Sequence, residues 1–149
     1  VYRTAALLGA AKMIETSRRH ITACNAEEYL HLVGFSVRNS DAVIICANNI
    51  FNQREKLAAE YAVKQGAKTI ILGNSLEEED WPEDCILIGS KSSINSPWLD
   101  VINSSVSLHR LANCHNLLTG KNPDMPEDVD VKFVIDLLYT GPVEGWKTE

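Results

Sequence analysis

Lys12, Glu15, Glu28 and His31 are the residues whose types and spacing point to chemistry. Moving a carbonyl between neighbouring carbons, or cleaving an imine, needs a base beside the carbonyl, a cation for the enediol or enamine, and an acid for the ring or leaving heteroatom. Glu, Lys and His supply these three parts. Lys12 and Glu15 are i, i+3 neighbours on a predicted helix, and Glu28 and His31 repeat that spacing sixteen residues later, so each pair shares a helix face. A carboxylate beside a cation can be tuned toward the working pH, and an imidazole already titrates near it. The plain alternative is a surface i, i+3 ion pair worth a few tenths of a kcal/mol, with His31 a structural histidine.

The elements that must position these groups follow from local pattern. Residues 5–18 are rich in helix formers, and Gly9 within them costs about 1 kcal/mol against Ala unless something must approach closely there. HITAC, residues 20–24, reads as a buried strand, so the two charged pairs flank one strand. Asn25 caps a short helix that carries Glu28 and His31 over residues 26–34, and RNSD at 38–41 is a turn. AVIICA, residues 42–47, is a continuous apolar run of the kind that a parallel strand buried on both faces displays.

A charged helix beginning at a capping Asn and stopping at Gly66 leads into TIILG, residues 69–73, which makes a βαβ unit. CILIG, residues 85–89, follows the acidic connection 76–84. A long helix spans about 98–118 and ends at Gly120, with Leu99, Ile102, Val106, Leu111 and Leu118 as its core-facing stripe. KNPDMPED is a turn-forming linker, DVKFVIDLLY is a last helix, and residues 121–149 as a whole form a C-terminal linker and tail. The alternation predicts an α/β fold, a doubly wound parallel β-sheet of four to five strands flanked by helices and flavodoxin-like in order.

Composition narrows the function classes. The chain has 149 residues, 45% hydrophobic and 23% charged, within the usual size of one domain. No apolar run reaches the 18 or so residues that span a bilayer, which argues against a membrane partner. A net charge of -6 argues against nucleic acid, because phosphate backbones require clustered Lys and Arg. Cys24, Cys46, Cys85 and Cys114 are widely spaced, which suits a reducing, cytoplasmic compartment and no disulfide framework. His109 and His115 lie on the long helix, and no two His plus a carboxylate stand at metal-ligand spacing, so neither a metal nor a cofactor is expected.

Taken together, the residues resemble the second sugar isomerase (SIS) domain of the glucosamine-6-phosphate synthase and fructosamine-phosphate deglycase family. Gly9, Ala10, Lys12 and Glu15 match G-A-x-K-x-x-E, and Glu28 to His31 match E-x-x-H at the family spacing. Ala47 and Asn49 fit the end of the next strand. Gly120, Asn122, Pro123, Asp124 and Pro126 match G-x-N-P-D-x-P, and YTGPVEGW at 139–146 looks like the deglycase tail. The resemblance implies that Glu15 shuttles a proton between C1 and C2 of a sugar phosphate or aminosugar phosphate. Lys12 would support that site, His31 would open the ring in its own or the partner subunit's site, and Glu28 is the acid beside that His. It also implies residues 1–149 as one SIS-like domain, the C-terminal half of a tandem protein, completed by an N-terminal SIS domain and a homodimer partner.

Several positions depart from the family. Leu32 and Val33 stand where it has Gly-Pro after the His, and Leu8 stands where an acid precedes Gly9. Lys132 falls one residue away from the spacing of the family's tail lysine. The turn ANNIFNQ has no Ser or Thr to cradle a phosphate, and GSKSS at 89–93 reads as a strand-end loop, so this half lends catalytic groups and does not grip phosphate. The Gly-rich strand that precedes the first helix in the family is not in the sequence before Val1. Two functions are therefore expected: part of an isomerase or deglycase, inactive as this chain alone, or a catalytically inactive SIS module for phosphosugar sensing or dimerisation.

Overall fold

The computed structural model describes residues 2–17, 19–47, 53–74, 76, 80–90 and 96–120. Helix α1, Tyr2–Ser17, is built from Ala, Leu and Met, and the hydroxyls of Thr16 and Ser17 turn back to the carbonyls of Lys12 and Met13 in its last turn. Helix α2, Ala26–His31, starts at Asn25 with a full capping box. The Asn25 side chain accepts from the Glu28 N–H at 2.8 Å, and the Glu28 carboxylate accepts from the Asn25 N–H at 3.0 Å. A 3₁₀ turn, Val33–Ser36, follows.

Strands β1 (Ala42–Cys46), β2 (Lys68–Asn74) and β3 (Ile86–Ser90) pair in parallel in the order β1-β2-β3, with Ala42 opposite Lys68 and Ile70 opposite Ile86. Helix α3, Gln53–Lys64, joins β1 to β2 and stops where Gly66 takes a φ of 78°, a left-handed value that only Gly adopts without strain. Helix α4, Pro97–Thr119, has Pro in its first turn and ends at Gly120, whose φ is 68° and whose N–H donates to Asn116 O.

Helices cover both faces of the sheet, as the pleat requires. Val43, Ile45 and Ile71 point toward α3 and pack with Ala58, Ala59 and Ala62, on which α2 also rests. The alternate residues face the α1 and α4 layer, where Asn74 donates to Asp100. The two helices of that layer run parallel, because Tyr2 bonds Asp100 near both N-termini and Gly9 meets Leu108 about two turns further on. Parallel strands with helices on both faces are the expected α/β class; among the described residues the sheet has three strands, where four to five were expected.

Three expectations are corrected. Residues 20–24 are not a strand: no neighbouring strand supplies ladder hydrogen bonds among the described residues, His20 and Thr22 are exposed, and Cys24 packs beside Tyr29 instead. β1 is an edge of the described sheet and only half-buried, whereas central β2 holds the fully buried Ile71 and Leu72. The stripe predicted for the long helix faces outward: Leu99, Ile102, Val106 and Leu118 are exposed, and α4 buries Asp100, Ser104, Leu108, Ala112 and Asn116. Close contact with α1 accepts small side chains there, and Asp100 is hydrogen-bonded by Tyr2 and Asn74. Asn48 and Asn49, the acidic residues 77–79, most of the 90–97 loop, Lys132, the expected last helix and the tail lie outside the described residues.

Candidate functional site

Gly9 sets the rotation of α1. A Cβ built there would lie 2.6 Å from Leu108 Cδ1 and 2.8 Å from Leu108 Cβ, so the close approach anticipated at this glycine is to a side chain of α4. With that side pressed on α4, Leu8, Ala11 and Glu15 are turned to solvent and Lys12 lies half-buried between them. Lys12 Nζ donates to Glu15 Oε2 at 2.8 Å. The pair is real and exposed, with Lys12 one turn from Leu8 and Glu15 one turn from Ala11.

α2 holds the second pair. Tyr29 is buried against α3, its hydroxyl donates to Gln65 Oε1 at 3.4 Å, and Gln65 Nε2 donates to Gly34 O at 2.6 Å. Gly34 has no room for a Cβ, which would meet Tyr61 Cε1 at 2.7 Å, so this glycine is what lets the turn after His31 lie on α3. His31 itself ends α2 with a side chain 75% exposed, its Nε2 3.3 Å from Glu27 Oε2. Glu27 also takes Arg54 Nε at 2.6 Å, which ties α2 to the first turn of α3. Glu28 does two structural jobs: it closes the capping box and meets Arg3 Nη2 of α1 at 3.4 Å.

The structure thus brings Lys12 to Glu15 and His31 to Glu27. Among the described residues no hydrogen bond or ion pair links Lys12 or Glu15 to Glu28 or His31. Arg3 with Glu28 is a polar link between α1 and α2.

A third group went unnoticed in the sequence. Tyr2, Asn74 and Asp100 meet at the carboxyl end of β2, the edge at which open parallel sheets take ligands. Tyr2 Oη donates to Asp100 Oδ2 at 2.9 Å and Asn74 Nδ2 donates to Oδ1, with Asp100 only 5% exposed. Burial, then the Asp100 hydrogen bond and charge, then Glu55 push the Tyr2 phenol well above its ordinary range. Burial also raises the Glu55 carboxyl, and its Oε2 is buried with no hydrogen-bond partner among the described residues. The available signals were a polar Asn ending an apolar strand and an Asp in a helix's first turn. Neither specifies a meeting across helices and sheet.

Burial pushes the Cys46 thiol up to about 11 and also raises those of Cys24 and Cys85, the opposite of what a nucleophile needs. Among the described residues, no three His, Cys, Asp or Glu side chains gather into a metal-ligand set, and no helix is long and apolar enough to cross a membrane.

No protein-family model matches the chain. No curated protein matches it either. A solved structure does: the C-terminal domain of glucosamine-fructose-6-phosphate aminotransferase from Francisella tularensis aligns over 84% of this chain with a TM-score of 0.70 and 19% sequence identity. What the two share is an SIS-like fold. This chain spans 35% of the length of that one.

Proposed function

We propose that this chain is an SIS domain that binds a phosphosugar and lends catalytic groups to an aminosugar-phosphate isomerase or deglycase of the fructosamine or glucosamine 6-phosphate type. The observation that carries the reading is the Lys12–Glu15 pair, held on an exposed helix face by the Gly9–Leu108 contact in a chain with an SIS-like fold. In this reading the Glu15 carboxylate takes the proton from one sugar carbon and returns it to its neighbour. Lys12 stabilises the enediolate charge between the two transfers. His31 protonates the ring oxygen as the ring opens, and Glu28 keeps the start of its helix in place. Glu15 and Lys12 then require a second surface to enclose the sugar. The N-terminal SIS domain of a tandem protein supplies it together with the phosphate grip, and a homodimer partner completes the His31 side. The free, widely spaced thiols fit a reducing cytoplasm.

The test is exchange of sugar C1 and C2 protons with solvent deuterium on fructose 6-phosphate and glucosamine 6-phosphate, using the protein with whatever precedes Val1. Glu15→Gln should lower that exchange about 10² to 10⁴-fold while phosphosugar binding persists. Undiminished exchange would remove Glu15 from the mechanism.

A second reading, an inactive SIS module for phosphosugar sensing or dimerisation, draws on one observation. Glu28 is engaged by a cap and by Arg3, and His31 by Glu27 at the surface. Phosphosugar binding by the wild-type protein with no proton exchange would favour it.

A further inference from the structure

The His31 ring is so exposed that packing does little to fix its direction. What it meets is Glu27, one turn back on α2, whose Oε2 lies 3.3 Å from Nε2. The other oxygen of that carboxylate, Oε1, lies 2.6 Å from Arg54 Nε in the first turn of α3. One carboxylate is thus shared between an imidazole on α2 and a guanidinium on α3. An isolated exposed ion pair of this kind is worth little, because two long side chains must be ordered to make it. Here the two helices are already fixed to each other by the buried Tyr29 and by Gln65, which takes the Tyr29 hydroxyl and donates to Gly34 O. Glu28 is engaged elsewhere, in the cap and with Arg3 of α1. Consecutive helix positions lie about 100° apart, so the two adjacent glutamates serve different neighbours.

Resting on the isomerase or deglycase reading above, we infer that Glu27 is the positioning residue of His31 and that Arg54 holds Glu27 in place. An ionised carboxylate accepts hydrogen bonds and cannot donate, so beside Glu27 the Nε2 atom keeps its proton and Nδ1 is the nitrogen offered to the sugar. In ring opening the Nδ1 proton of the imidazolium passes to the ring oxygen while the bond from that oxygen to the anomeric carbon breaks, its electron pair going to the oxygen. The anomeric hydroxyl releases its proton to water as the carbonyl forms. Glu27 stays ionised throughout, and its charge offsets that of the imidazolium before the transfer.

The test compares two sugars on the protein with whatever precedes Val1, following exchange of their C1 protons with solvent deuterium. Fructose 6-phosphate must open before it exchanges, whereas 5-deoxyfructose 6-phosphate lacks the hydroxyl that closes the ring and is always open. Glu27→Ala should lower exchange on fructose 6-phosphate about 10 to 10²-fold and change it on the open sugar less than about twofold. Arg54→Ala should give the same split with a smaller loss. Arg54 and Glu27 are 55% and 51% exposed, so neither substitution opens the core, and exchange on the open sugar reports that the fold survives. Glu15→Gln should lower exchange on both sugars, which separates the base from the ring-opening pair. An equal loss on both sugars in Glu27→Ala would overturn the proposal, because a general loosening of α2 does not distinguish them. Unchanged exchange on both would overturn it too. A wild type inert on both sugars would sink the isomerase reading itself, and the role of Glu27 with it.

Discussion

Helices α3 and α4 lie on opposite faces of the same sheet and are built in opposite ways. α3 buries Ala58, Ala59 and Ala62 and exposes Gln53, Arg54, Glu60 and Lys64, the division expected of a helix with the sheet on one side and water on the other. α4 buries Asp100, Ser104 and Asn116 and exposes Leu99, Ile102, Val106 and Leu117. The difference lies in what each helix touches. α3 meets a flat apolar sheet, whereas α4 shares its inner side with α1, close enough that Gly9 has no room for a methyl group. Small and polar residues line that seam, where Leu108 packs on Gly9 and the Tyr2–Asp100 hydrogen bond crosses between the helices.

The sharpest way to break this comparison is at Asp100. Asp100→Ala would remove the buried acceptor of both the Tyr2 hydroxyl and the Asn74 amide, and a loss of about 3 kcal/mol is expected in a denaturant titration. A value near zero would mean that the seam does not depend on this network. Gly9→Ala comes next. Helix propensity alone would favour Ala by about 1 kcal/mol, but overpacking against Leu108 costs about 1–3, so a net loss of about 1 kcal/mol is expected in the same titration. A gain would show that α1 and α4 can part without cost.

On the α3 side, Glu55 tests the polar corner that the two layers share. Burial raises its carboxyl above the ordinary carboxylate range, so folding disfavours its ionisation. Stability from this group is present below the ordinary carboxylate range and is lost as pH rises through the raised folded value. Glu55→Gln should therefore raise the thermal midpoint at pH 7, with the advantage vanishing in acid below the ordinary carboxylate range. An advantage independent of pH would assign the effect to something other than charge. The smallest effect belongs to α3's solvent side, where Glu60→Ala should change stability by less than about 0.5 kcal/mol.

The candidate site was legible in part for the same reason. The Lys12–Glu15 pair depends on helical spacing alone, and its 2.8 Å bond follows from i, i+3 geometry. The Asn25 cap was equally readable, because Ser, Thr, Asp or Asn before a helical run satisfies free N–H groups wherever it occurs. The use of Glu28 as the reciprocal half of that cap was not foreseen, nor was the pairing of His31 with Glu27 in place of Glu28. Glu28 and His31 do share a spacing, but competing partners one turn away and on α1 took them up. The Tyr2, Asn74 and Asp100 group spans 98 residues of sequence, and no local pattern specifies such a meeting.

By itself the sequence determined the elements whose causes are local. Helix bounds near Ser17, Lys64 and Thr119, the Gly66 and Gly120 stops, and the strands at 42–46, 68–74 and 86–90 all follow from propensity, capping and apolar runs. Tertiary structure decided the rest. It left residues 20–24 without a partner strand among the described residues, placed β2 rather than β1 at the centre, and turned α4's apolar stripe away from the core. Apolar periodicity tells that a helix has a greasy side, but the neighbour that comes closest chooses which side is buried. In α4 that neighbour is α1, whose glycine makes room for Leu108.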